Sequence, residues 1–236
     1  MSAAGMPDVR AVLFDKDGTL FDFARTWNAW SLEVLNHLSG GDEALADALA
    51  RAIMFDRQAV TFLPGSPAIA GTNDMVARAL ASELPGADAG QIARFLADSA
   101  AGAPLAEAVP LVPLLAQLAA RDMALGVMTN DHESSARAHL SASGVLEMFD
   151  FVAGADSGYG AKPDPDPLLA FCDAVGARPG ATVMVGDSTH DLVAGRAAGM
   201  RTVGVLTGMS GVAELAPFAD VVLPDIGHLP GWLGGV

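Results

Sequence analysis

The chain has 236 residues, half of them hydrophobic, and a formal net charge of -15. That is enough for one large domain with an insertion or for two modest ones, and the acidic balance is the opposite of what nucleic-acid binding requires. No run approaches the roughly 18 apolar residues of a membrane span, and the single Cys172 excludes an internal disulfide and fits a reducing, cytoplasmic setting.

Residues 1–10 lack a cationic patch followed by an apolar run, so no signal peptide is expected. Residues 9–14 are short and mostly apolar, which predicts a buried strand. They run into Asp15-Lys16-Asp17-Gly18-Thr19-Leu20. Carboxylates at the end of a hydrophobic strand are costly to desolvate unless a cation or a donor waits there. Asp15 and Asp17 are two apart, so on an extended backbone both project to one side. Gly18 permits a sharp turn and is expected to bring a bare N–H to an anion. The set suits a hard cation plus a phosphoryl group; the plainer alternative is an acidic junction that caps a helix.

From residue 22 to about 104 the strand pattern stops. Helices are predicted over 24–38, 43–55, 74–84 and 91–101, with Leu, Ala, Ile and Val at three- and four-residue spacing. Gly40-Gly41, Pro64-Gly65-Ser66-Pro67 and Pro85-Gly86 separate them. Ser39 or Asp42 is expected to cap the second helix and Asn73 the third. This predicts an all-helical insertion, residues 22–104, within a domain made of 1–21 and 105–236.

After Pro110 the chain alternates. Helices are predicted at 111–121, 133–143, 165–175 and 191–198, and strands at 124–128, 151–153, 182–185, 202–205 and 221–223. Alternation of this kind implies an α/β fold, a Rossmann-like doubly wound parallel sheet whose site lies at the carboxyl ends of the strands. Cys172, in an apolar helical stretch, is expected in the core.

Polar residues do follow the predicted strands. Thr129 and Asn130 come after 124–128, and the Thr129 hydroxyl and the amide after it can donate to a phosphate oxygen, or they simply cap a helix. Lys162 precedes Pro163, which favours an extended backbone and a stiff loop. It is one of only two lysines, the other being Lys16. Asp187 ends strand 182–185, and Asp191 lies one helical turn on, so both carboxylates can address one ion.

Taken together, Asp15-x-Asp17-Gly18-Thr19, Thr129, Lys162-Pro163 and Gly186-Asp187-x-x-x-Asp191 resemble, in order, the four motifs of the haloacid dehalogenase superfamily. The resemblance covers roughly residues 9–206 and points to the phosphoglycolate phosphatase branch. It implies a Mg2+-dependent phosphatase acting on a small phosphorylated metabolite, with 22–104 as a C1 cap. It implies Asp15 as nucleophile and Asp17 as general acid/base. Gly18, Thr129, Asn130 and Lys162 would hold phosphate. Asp15, the Asp17 carbonyl and Asp187 would ligate Mg2+, with Asp191 in support. The rival within the family is a phosphomutase like the β-phosphoglucomutases; outside it, a non-catalytic phosphate- or partner-binding module. No nucleic-acid or membrane partner is expected.

Two positions depart from the family pattern. Lys16 stands where an apolar residue is common, and Phe23 where Ser or Thr is frequent. Alternation turns the Lys16 side chain away from Asp15 and Asp17. That predicts either a salt bridge to a carboxylate of the cap or a contact with an acidic leaving group. His132 and His190 are left without a role.

Overall fold

The computed structural model describes residues 9–100 and 102–234. Residues 1–8, part of the N-terminal stretch considered above for a signal peptide, lie outside it, as does residue 101 at the expected end of one helix.

Strand β1 (Ala11–Phe14) is followed by a helical segment: α1 (Phe23–Ser39), α2 (Glu43–Ala52), the two-residue strands β2 (Phe55–Asp56) and β3 (Thr61–Phe62), α3 (Pro67–Ala70), α4 (Asn73–Glu83) and α5 (Ala89–Ala100). Alternation then sets in with α6 (Leu111–Ala119), β4 (Ala124–Met128), α7 (Glu133–Ala142), β5 (Phe151–Ala153), α8 (Asp166–Val175), β6 (Thr182–Gly186), α9 (Thr189–Ala197), β7 (Arg201–Val205), α10 (Val212–Leu215), β8 (Val221–Leu223) and α11 (Leu229–Gly234). Six strands form one parallel sheet in the order β5-β4-β1-β6-β7-β8. The chain winds outward from β1 on one side and then on the other, the doubly wound arrangement expected from the alternation.

Both faces of the sheet are buried. Val12 and Phe14 pack with Leu111, Leu115, Leu118, Val127 and Val185 on one side. Ala11 and Leu13 pack with Met128, Leu168, Phe171, Cys172 and Met184 on the other. This is the two-residue period of a strand covered on both faces. Cys172 is a core residue, and burial raises its thiol pKa. The helical segment has an apolar cluster of its own, built on Phe23, Trp27, Leu35, Leu49, Phe62, Leu80 and Leu96. Among the described residues no helix is long and apolar enough to cross a membrane.

The segment is not all-helical. Helix α2 stops at Ala52 rather than 55, because Met54 takes a positive φ of 53° and the chain turns into the β2–β3 hairpin. Asp56 Oδ1 accepts from the N–H groups of Gln58 and Ala59 in its turn, and the rings of Phe55 and Phe62 meet edge to face at 4.9 Å. Asp42 caps α2, accepting from Leu45 N. Helix α4 is capped by Thr72, which accepts from Met75 N, and not by Asn73. Asn73 instead donates to Ala93 O.

Candidate active site

Register gathers the site. Phe14 pairs with Val127 on one side and with Val185 on the other, so Asp15, Thr129 and Asp187 leave adjacent strands at the same edge. Facing that edge is a cavity of about 120 Å3 between the sheet and the helical segment. Asp15, Asp17, Thr129, Asn130, Lys162 and Asp191 all line it. Asp187, 2% exposed, lies behind the wall.

Lys162 is tied down from three directions. Its Nζ lies 2.5 Å from Asp15 Oδ1, 2.6 Å from Asp191 Oδ1 and 2.8 Å from the Met128 carbonyl. Burial works against its charge, yet Asp15 and Asp191 outweigh it and hold the ammonium above the ordinary lysine value. The Lys162–Pro163 peptide is cis. The second oxygen of Asp191 accepts from Ser188 N at 3.0 Å and Ser188 Oγ at 2.7 Å, closing a capping box at the start of α9.

Asp15, Asp187 and Asp191 each bring a carboxylate oxygen within 4.8 Å of the others, and all three are buried. Burial, with the charges of Asp191 and Asp17 added and Lys162 opposing, pushes the Asp15 carboxyl up to about 7. Burial and then Asp15 and Asp191 push Asp187 well above the usual carboxylate range. Asp187 Oδ1 accepts a long bond from Thr19 Oγ1 at 3.5 Å, while Oδ2 is buried without a partner. One lysine among three buried carboxylates leaves the cluster short of positive charge. A hard cation with oxygen ligands meets that deficit, and the unpartnered Oδ2 is the atom left to reach it. Asp17 is outside this trio through its side chain.

Gly18 plays a different part from the one expected. Its N–H donates to the Phe21 carbonyl at 2.7 Å and closes the turn, so it is not bare. What demands glycine is a φ of 81° and the Asp187 carboxylate, with which a Cβ there would collide. Gly208, after β7, presses on Asp187 from the other side, and a Cβ there would collide with Asp187 Oδ2. Thr207 Oγ1 donates to the Gly18 carbonyl at 2.6 Å. The Thr207-Gly208 loop thus belongs to the site and went unseen in the sequence, although it follows a strand as the other motifs do.

The Asn130 side chain is fully used. Its Nδ2 donates to Ala70 O and Lys162 O, each at 2.9 Å, and its Oδ1 accepts from Lys162 N at 2.9 Å. A phosphate contact from Asn130 would have to come from its backbone N–H. Thr129 Oγ1 accepts from Asp131 N at 3.1 Å, which leaves its own hydrogen to donate.

Lys16 overturns its expectation. It does not turn away from Asp17, and its partners are not carboxylates of the helical segment. Its Nζ lies 2.7 Å from Asp17 Oδ2, 3.1 Å from His139 Nδ1 and 3.3 Å from Asp131 Oδ2, the last an ion pair without hydrogen-bond alignment. The ammonium also stands 5.2 Å from the ring centroid of Trp27. It is 0% exposed and does not line the cavity, so it meets no leaving group. Burial lowers its pKa, but Asp17 and Asp131 raise it further, to above the ordinary value. His139 Nε2 lies 2.7 Å from the Ala100 carbonyl and so must be the protonated nitrogen, leaving Nδ1 to accept from Lys16. Burial first, then Lys16, keeps this imidazole below its usual pKa. Asp17 Oδ1 accepts from Trp27 Nε1 at 2.8 Å. Trp27, Asp131 and His139 are therefore part of the environment of Asp17, and no motif spacing announced them.

His132 Nε2 lies 3.3 Å from Asn73 Nδ2. His190 lines the cavity with its Nδ1 buried and unpartnered.

Residues 9–199 match the haloacid dehalogenase-like hydrolase family. The chain belongs to that family. Among curated relatives of this hydrolase, the phosphoglycolate phosphatase of Rhodospirillum rubrum is 36% identical, over 95% of this chain and 91% of that protein. The phosphoglycolate phosphatase of Escherichia coli O157:H7 is 31% identical, over 96% and 93%. Among solved structures, CbbY from Rhodobacter sphaeroides in complex with phosphate superimposes with a TM-score of 0.69 at 22% identity, covering 94% of this chain and 96% of that one. At that identity the likeness speaks for the fold alone.

Proposed function

We propose that this hydrolase is a phosphatase that hydrolyses a small phosphorylated metabolite, with Mg2+ as its ion. The observation that carries the reading is one juxtaposition on the cavity wall: a buried aspartate, Asp15, with the Lys162 ammonium 2.5 Å away and a second carboxylate, Asp17, two residues on. The names of the two curated relatives support a phosphatase and make phosphoglycolate the first compound to assay.

In this reading Asp15 attacks phosphorus in line and forms an aspartyl-phosphate as the ester oxygen leaves. Asp17 gives that oxygen its proton and then takes one from the water that hydrolyses the intermediate. Lys162 and the Thr129 hydroxyl neutralise the phosphoryl oxygens. Mg2+ held by Asp15, Asp187 and the Asp17 carbonyl, with Asp191 steadying Lys162, would supply further positive charge to the phosphoryl group. Residues 22–104 act as a cap on a core made of 1–21 and 105–236, a division supported by the separate apolar cluster of the helical segment.

The test is release of inorganic phosphate across a panel of phosphorylated metabolites with excess Mg2+, run beside Asp15→Asn. The variant is expected to lose at least about 10^4-fold in turnover and to yield no acid-trapped phosphoenzyme. Comparable phosphate release from correctly folded Asp15→Asn would overturn the reading.

A further inference from the structure

We propose that the leaving group this hydrolase receives is an uncharged, apolar body on the scale of an aryl ring or a branched alkyl chain, and not a second anion. The inference rests on the phosphatase reading and narrows it.

The cavity has two unlike ends. At the sheet end stand Asp15, Asp17, Asp131 and Asp191 with Lys162. Opposite them the helical segment presents Phe23, Val34, Phe62, Leu80 and Leu96, each no more than 6% exposed. Phosphate belongs at the first end, where the nucleophile and the ammonium are, so the rest of the ester must face the second.

Charge excludes an acidic leaving group there. Among the described residues lining the cavity, Lys162 is the one lysine or arginine, and it is committed to Asp15, Asp191 and the Met128 carbonyl. The nearby Lys16 is sealed behind the wall by Asp17, Asp131 and His139. A carboxylate or a second phosphate pressed against the apolar end would lose water and find no lysine or arginine to pair with.

Shape and chemistry agree with an apolar body instead. The cavity of about 120 Å3 must hold the phosphoryl group as well, so the body at its apolar end is no larger than a single ring. Phe23 and Phe62 meet edge to face at 5.6 Å, and Trp27 and Trp30 at 5.0 Å, which gives the wall flat aromatic surface. Trp30 carries a buried indole N–H with no acceptor. A single ether or carbonyl oxygen on the leaving group would satisfy it.

The experiment compares kcat/KM for benzyl phosphate, 4-carboxybenzyl phosphate and phosphoglycolate, with p-nitrophenyl phosphate as a general phosphatase substrate. The benzyl pair differs chiefly in one remote charge. Benzyl phosphate is expected to exceed both carboxylated esters by at least about a hundredfold, since a desolvated, unpaired carboxylate costs more than the methylene that separates good from poor ligands in an apolar pocket. Equal or greater kcat/KM for either carboxylated ester, with p-nitrophenyl phosphate turned over, overturns the inference and leaves the phosphatase reading standing. No phosphate from any ester overturns both. Ile69→Lys gives an independent arm. Ile69 lines the cavity from α3 and is only half-buried, so a lysine there can keep its charge hydrated. The variant is expected to shift the ratio toward the carboxylated esters by about tenfold or more. An unchanged ratio in a folded variant would mean that this wall does not meet the leaving group, and the inference fails.

Discussion

The protein has two lysines, and both are buried beside aspartates at the same edge of the sheet, yet the two regions are built for different ends. Lys162 sits between Asp15 and Asp191 with a face on the cavity. Lys16 sits between Asp17 and Asp131, closed off by His139 and Trp27. The first arrangement is short of positive charge, a deficit that an ion can resolve, since Asp187 Oδ2 has no partner. In the second, the ammonium has two carboxylates and an imidazole around it and no route to a ligand. In the proposed mechanism, identical chemistry serves recognition in one place and the orientation of a single carboxylate, Asp17, in the other. What separates them is access to the cavity.

Removing each cation is the most direct way to break this comparison. Lys162→Met should lower turnover by about 10^2- to 10^3-fold, the usual cost of losing one preorganised charge donor. The loss should appear with every phosphate ester, whatever its leaving group; an effect confined to alkyl esters would place Lys162 with Asp17 instead. Lys16→Met leaves two carboxylates facing each other around an apolar side chain, so its main cost should be stability, about 3–5 kcal/mol for an uncompensated buried charge, measured by urea unfolding. Its kinetic signature should depend on the leaving group. An alkyl ester, which needs the proton of Asp17, should suffer more than p-nitrophenyl phosphate, which does not. Equal losses would reduce Lys16 to a structural ion pair.

A milder intervention is to supply the missing positive charge. Mg2+ at a hundredfold excess over its dissociation constant should stabilise the fold by about 2.7 kcal/mol, or roughly 5–10 °C in Tm at about 2–4 °C per kcal/mol. Asp15 has a folded-state pKa raised from 3.8 to about 7. Its contribution to the stability of the metal-free protein is therefore fully present below pH 4 and lost as pH rises toward 7. Metal-free Tm should fall across that window and the Mg2+-induced gain should grow; a gain independent of pH would argue against binding at this cluster. The smallest expected effect is that of Trp27→Phe, which deletes the hydrogen bond to Asp17 Oδ1 and keeps the ring packing. A loss of about tenfold with alkyl esters, near 1.4 kcal/mol, and little with p-nitrophenyl phosphate would confirm that Trp27 orients the acid. An unchanged profile would leave Lys16 as its main support.

These distinctions were only partly legible in the sequence. Asp15, Thr129 and Asp187 could be singled out because a polar residue beside the end of an apolar strand costs desolvation unless something there uses it, and the parallel register brings such ends together; Lys162 stood out as one of two lysines, ahead of Pro163, and Asp191 by lying one helical turn after Asp187. The partners of Lys16 could not, because His139 is 123 positions away. The alternation argument also failed there for a local reason. The chain leaves the strand at once, with Leu20 N and Phe21 N both donating to Lys16 O, so Lys16 begins a turn and its side chain follows no pleat. Gly18 misled in the same way: a glycine needed for φ and for close approach looks, in one dimension, like a glycine needed for its amide. The β2–β3 hairpin was hidden because two-residue strands are too short for any period to show.

The burial of Cys172 has a practical side. Its thiol is 2% exposed, lies in the core beneath β6 and has a raised pKa, so thiolate is scarce at neutral pH. Alkylating reagents should pass it by in the folded protein. A cysteine introduced on the outer surface of the helical segment and another on the far side of the sheet would then be the only reactive thiols. A dye pair could report the distance between the two layers during turnover with the native chain otherwise intact.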